Sequence, residues 1–141
     1  MVAANNYAWG LSRLGRFEEA KSVLRKMMPV TRRVVGESHK LTLAMRKTCA
    51  RALYMDANAT LDDLREAVTT FEDMERTARR VLGGAHPLVV DIERNLRKAR
   101  AVLRARETRD AFGAARVQLA QERAELAQTL ADAARQSSRS T

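Results

Sequence analysis

The sequence predicts an all-α chain, a stack of antiparallel helix hairpins, and three observations carry that reading. Thr31-Arg32-Arg33-Val34-Val35-Gly36-Glu37-Ser38-His39 returns as Ala78-Arg79-Arg80-Val81-Leu82-Gly83-Gly84-Ala85-His86, so Gly36 and Gly83, and His39 and His86, lie 47 positions apart. Each repeat is filled by two stretches whose apolar residues recur at three-and-four spacing, the period of one helix face. Aromatic residues make up only 4 % of the chain, while Ala, Leu, Arg and Glu dominate, and these side chains favour helix over sheet. A period of roughly 34 to 47 residues holding two helices marks an array in which no hairpin buries its apolar face alone. The expected organisation is a helical repeat domain over 1–103, then an alanine-rich helical extension over 104–136 and a disordered tail over 137–141.

The first helix is expected from Val2 to Leu14, with Ala4, Tyr7, Ala8, Leu11 and Leu14 on one face, and Gly15 stops it. So short a connection makes the second helix antiparallel to the first, with Phe17, Ala20, Leu24, Met27, Thr31 and Val34 as its inward stripe. Pro29 removes a backbone hydrogen bond inside that helix and predicts a kink near Lys26 to Pro29. Gly36 ends the hairpin, and Ser38 or Thr42 can cap a third helix over Leu41 to Met55, with Leu43, Cys49, Ala50 and Leu53 inward. The segment Asp56 to Thr60 stands where Gly15 made a tight turn and lengthens the second unit by five residues, from the 42 that separate Leu11 and Leu53. A fourth helix follows over Leu61 to Leu82, with Leu64, Ala67, Phe71, Met74, Ala78 and Val81 on one side. Gly83-Gly84 breaks it, and Pro87 opens a fifth helix to Leu103 that is expected to close the array with Ile92, Leu96, Ala99 and Leu103. Beyond Arg104, Phe112, Leu119 and Leu126 are seven apart, yet Arg116 and Arg123 hold the alternate seam positions, which argues against a sustained coiled coil.

Charge and composition exclude several classes. With 26 Lys plus Arg against 17 Asp plus Glu the chain carries +9, which favours acidic partners, but both signs are interleaved throughout, unlike a nucleic-acid tail. Nucleic-acid binding is therefore the weaker alternative. A single cysteine, Cys49, permits no intrachain disulfide, and with two histidines it falls short of a metal-ligand cluster. No apolar run approaches the length of a membrane span, so a cytoplasmic protein is expected. The chain offers no phosphate loop, nucleophile elbow or metalloprotease histidine pair, and neither enzymatic activity nor a cofactor is expected. Its opening residues enter a helical pattern without a capping residue, which suggests that further repeats precede it.

Asn5-Asn6-Tyr7-Ala8, Leu11, Leu14-Gly15-Arg16-Phe17-Glu18-Glu19-Ala20, Leu24 and Val34-Val35-Gly36-Glu37-Ser38-His39 together resemble one tetratricopeptide repeat, of the long kind found in kinesin light chain. The resemblance extends over about residues 3–103, with Ala50, Leu53, Ala67 and Phe71 matching in the second unit. It departs from the family at Pro29, at the five-residue insertion, and at Arg97 and Arg100, which stand where inward residues matching Ala8 and Leu11 belong and are expected to face water in a capping helix. The resemblance implies a right-handed α-solenoid of about two repeats plus a capping helix, acting as a protein–protein interaction adaptor. It also implies a concave groove lined by the first helix of each hairpin. By register the groove residues are Asn5, Asn6, Trp9 and Arg13, then Lys47, Thr48, Arg51 and Tyr54, then Arg94, Asn95 and Lys98. This basic set implies a protein or peptide partner of acidic character.

Each of these residues also has a plainer reading. Trp9 is either a peptide anchor or a side chain packed against a further repeat, and the basic groove residues are either ligand contacts or solvated helix surface. His39 and His86 precede helix starts, where their rings cap or pack. Cys49 reads as a small buried hydrophobe. The sequence leaves the partner's identity and the oligomeric state open.

Overall fold

The computed structural model describes residues 1–140 and is helical throughout its elements: α1 (Val2–Arg13), α2 (Phe17–Val35), α3 (Lys40–Met55), α4 (Leu61–Leu82) and α5 (Pro87–Arg139). The chain divides into two units, Met1–Arg104 and Ala105–Thr141. In the first unit consecutive helices pack on one another, α1 on α2, α2 on α3 and α3 on α4, with α1 also meeting α3.

Two apolar clusters hold this unit. Ala8, Leu11, Ala20, Leu24 and Met45 join α1, α2 and one side of α3. Leu43, Ala50, Leu53, Leu64, Ala67, Phe71, Met74, Ile92 and Leu96 join the other side of α3 to α4 and α5. The internal repeat is visible in what is buried. Ala8 and Leu11 recur 42 residues later as Ala50 and Leu53, and Ala20, Leu24 and Thr31 recur 47 later as Ala67, Phe71 and Ala78, all buried. Small residues where two helices cross and large ones between the crossings let each hairpin close tightly.

The connections show why the chain turns where it does. Gly36 and Gly83 end α2 and α4 at φ 93°, ψ 162° and φ 82°, ψ 152°, a region of backbone space that only glycine occupies without strain. His39 caps α3 and His86 opens α5 in the same way, each imidazole Nδ1 accepting the backbone N–H two residues on, from Leu41 and Leu88 at 3.1 Å. Neither Ser38 nor Thr42 is the α3 cap: the Thr42 hydroxyl instead donates to the Gly36 carbonyl at 2.7 Å, tying the helix start to the turn before it. The longer α3–α4 connection is built by Asp56, whose Oδ1 accepts from Asn58 N, and by a reciprocal cap between Thr60 and Asp63.

Several side chains differ from the sequence expectation. Tyr7 on α1, Leu14 just after it, Val34 on α2 and Val81 on α4 are exposed, because one helix face can meet only the neighbours it has. Val34 and Val81 are themselves 47 apart, so their exposure is a property of the repeat. Pro29 lies inside α2, which continues to Val35. α5 runs as one helix from Pro87 to Arg139, and Thr141, the end of the expected tail, lies outside the described residues. Arg97 and Arg100 are exposed, and Arg100 reaches Glu72 on α4 at 2.7 Å.

An ionic tie spans the two hairpins. Arg46 of α3, with its side chain only 12 % exposed, holds Asp73 of α4 at 2.7 Å and Glu37 of the α2–α3 turn at 3.4 Å, and Glu37 also holds Arg32 of α2. The Arg46 hydrogen bond holds the Asp73 carboxyl below its ordinary value, and the Thr60 backbone N–H does the same for Asp63.

Two outcomes are expected. Gly36→Ala forces a β-carbon into the glycine-only region and should lower the unfolding free energy by roughly 1–3 kcal/mol, although no atom lies within 4 Å of the new carbon. Gly10→Ala, in the interior of α1, should raise it by about 1 kcal/mol, and urea titration with unchanged m-values reads both. Folded Asp63 and Asp73 give up their protons more readily than in the unfolded chain, so their stabilisation is full above the ordinary carboxylate range. It is lost as pH falls through their depressed folded values. Asp73→Asn should lower the neutral-pH melting temperature and flatten its decline in acid, as measured by circular dichroism.

Candidate functional site

The first helices of the three units, α1, α3 and the start of α5, are joined by polar contacts. The Thr48 hydroxyl donates to Asn5 Oδ1 at 3.0 Å, linking α3 to α1. On its other side α3 is linked to α5 by the Lys47–Asp91 ion pair and by the Tyr54 hydroxyl, which donates to Asn95 Oδ1 at 2.7 Å. Asn95 uses its remaining amide donors on the Asp91 carbonyl at 2.8 Å and, more loosely, on the Asp91 carboxylate. The Tyr54 ring meets Phe71 edge-on, and burial pushes its hydroxyl above the ordinary tyrosine value.

These contacts divide the eleven expected groove residues. Thr48, Tyr54 and Asn95 are 3 %, 7 % and 6 % exposed, and their polar atoms are spent between helices, so they set helix spacing and offer little to a ligand. Asn5 and Lys47 are half-buried and engaged in the same contacts. Asn6, Trp9, Arg13, Arg94 and Lys98 are exposed, and Arg51 is half-exposed. Arg94 pairs with Asp91 at 3.6 Å. Arg13 lies over the Trp9 ring at 4.9 Å from its centre, a cation–π arrangement worth roughly 0.5–1 kcal/mol at an exposed site.

Trp9, Arg51 and Lys98 hold the same register position on α1, α3 and α5, at the 42- and 47-residue spacings of the repeat. Between the first two of these helices lies a hollow of about 320 Å³, lined by Trp9, Arg13, Phe17, Arg51 and Met55 among others. Its walls are mainly aromatic and thioether, and two guanidinium groups stand at its edge. Arg51 turns its Nε toward the Met55 sulfur at 3.1 Å.

Three participants escaped the sequence reading. Asp91 anchors Lys47, Arg94 and Asn95 together, and nothing periodic marked it, since its register counterpart on α3 is Ala44. Met55 stands 42 residues after Arg13 and so shares its register. Phe17 was assigned to the core, yet it is only half-buried and reaches the hollow.

Other chemistry finds little footing. Cys49 is half-buried, and burial pushes its thiol up, the opposite of an activated nucleophile. Among the described residues no group of three His, Cys, Asp or Glu side chains is placed to hold a metal ion, and no helix is long and apolar enough to cross a membrane.

No curated protein and no solved structure matches the chain. Residues 1–39, which take in α1, α2 and the turn up to the His39 cap, match the family model described as a tetratricopeptide repeat. Repeats of this family are non-enzymatic scaffolds that mediate protein–protein interaction. One hairpin, residues 1–39, thus matches a tetratricopeptide repeat in sequence, and the next is built on the same buried positions.

Proposed function

We propose that the chain is an adaptor that binds an acidic peptide segment along α1, α3 and the first turns of α5. The observation that carries this reading is the row Trp9, Arg51 and Lys98, one aromatic and two cations at a single register position on three adjacent helices, with Arg13 stacked on the first. A peptide crossing the row meets the hollow beside Trp9 with an apolar side chain and the cations with carboxylates. Asn6 adds a side-chain amide that can both donate to and accept from a peptide backbone.

Preorganisation supports the same reading. The contacts among Asn5, Thr48, Lys47, Asp91, Tyr54 and Asn95 fix the helix spacing before any ligand arrives, so little ordering cost falls on binding. Arg51 and Lys98 stand on successive first helices, which suits an extended segment with separated acids rather than one concentrated charge. The +9 net charge adds long-range attraction for such a segment.

Isothermal titration of the full chain with acidic peptides carrying one large apolar residue tests this directly. Arg51→Glu should weaken binding by about tenfold or more, equivalent to about 1.4 kcal/mol. Arg33→Glu, on an exposed part of α2, should leave affinity within about twofold after allowance for the change in net charge. Equal losses from both substitutions, or binding of every polyanion alike with steep salt dependence, would replace the groove with a diffuse electrostatic surface.

A further inference from the structure

The second unit, from Ala105 onward, is helical to Arg139 and carries an apolar stripe that its own chain leaves open. Phe112, Leu119, Leu126 and Leu130 are each between 49 % and 68 % exposed. Their intervals of seven, seven and four place Phe112, Leu119 and Leu126 at one seam position of a heptad and Leu130 at the other. The alternate seam positions hold Arg109, Arg116 and Arg123.

We infer that this helix pairs in antiparallel fashion with the same helix of a second copy. In a parallel pair, equal residues face each other, and Arg109, Arg116 and Arg123 would each meet their own image, three layers of buried like charge. Reversing one strand brings the two kinds of seam position into the same layer. The register of fullest overlap sets residues whose numbers sum to 242 side by side. Phe112 then meets Leu130 of the second copy, while Arg123 meets Leu119 and Arg116 meets Leu126.

The flanking residues fit that arrangement and no other orientation as well. The position beside the seam on the arginine side is occupied by Gly113, Ala120, Ala127 and Ala134. In an antiparallel pair this side of one helix faces the same side of its partner. Arg109, Arg116 and Arg123 therefore pass over Ala134, Ala127 and Ala120 of the second copy. A long arginine stem needs such a low wall to lay its methylenes on the apolar seam while its guanidinium reaches water. The sequence is thus complementary to its own reverse. Glu122 lies beside its own image near the twofold axis at the solvated rim, and Gln118 donates to it at 3.0 Å, which tempers that one repulsive contact.

The product is a particle with two repeat domains, and a ligand with two acidic segments would gain avidity from linkage alone. The pairing itself stands whether or not the groove assignment does.

Sedimentation equilibrium of the full chain over a micromolar concentration series should show a dimer. Leu126→Glu should make it monomeric. Val117→Glu, on the opposite side of the same helix, should leave the dimer intact, and circular dichroism should confirm that both variants keep their helix. Orientation is read in a Cys49→Ser background from Arg116→Cys and Leu126→Cys, carried on chains of different tag length. Mild oxidation of the mixture should give the 116–126 hetero-disulfide, and Arg116→Cys alone should not cross-link to itself. A monomeric parent chain, a dimer indifferent to Leu126→Glu, or a self-linked Arg116→Cys pair would overturn the inference.

Discussion

Everything in the repeat domain depends on α3 having two apolar sides. Met45 belongs to the cluster with Ala8, Leu11, Ala20 and Leu24, whereas Leu43, Ala50 and Leu53 belong to the cluster with Phe71 and Ile92. A helix hairpin cannot bury its apolar face alone, and a neighbour sharing one of its helices removes that surface from water. Because α3 serves both clusters, the first hairpin stabilises the second and each fixes the orientation of the other. The Arg46 tie to Glu37 and Asp73 acts across the same junction, so the electrostatic contact and the apolar one reinforce a single geometry.

That constraint determines what remains available for recognition. Side chains pointing along the line of first helices either bridge to the next helix or face outward, and the choice turns on length and position. Thr48, Tyr54 and Asn95 bridge, which leaves the longer Arg51 and Lys98 together with Trp9 to define the outer surface. The polar bridges impose a cost of their own. Buried hydroxyl and amide groups are tolerated only when paired, so Tyr54 and Asn95 are each constrained by the other. A surface built in this way has its buried polar residues paired between helices and its longer side chains turned to solvent.

Much of this was legible in the residues themselves. The 47-residue echo from Thr31 to His86 located the turns, and the buried pairs Ala20 with Ala67 and Leu24 with Phe71 follow from it directly. Periodicity was less able to say which of several apolar residues on a helix meets a neighbour. Tyr7, Leu14, Val34 and Val81 satisfy the helical spacing yet lie outside the faces their neighbours cover. The site was only partly legible for a similar reason. Register identifies which residues share a line of helices, but it does not distinguish a threonine that reaches Asn5 from an arginine that reaches solvent. Asp91 and the Thr60–Asp63 cap were missed because short polar side chains carry no periodic signal and take their meaning from partners brought close by the fold.

The connection between α3 and α4 has a different kind of significance. Its length departs from that of the Gly15 turn, yet it is a self-sufficient structure: an aspartate turn at one end, the buried Ala59 in its middle and a reciprocal helix cap at the other. Of these residues Ala59 alone joins the apolar cluster of the packed helices, and doubling such a loop adds only about 0.6 kcal/mol of closure entropy. Asn58, exposed at its tip, therefore marks a natural point for grafting, where a foreign sequence or a reporter could be carried without disturbing the hairpins on either side.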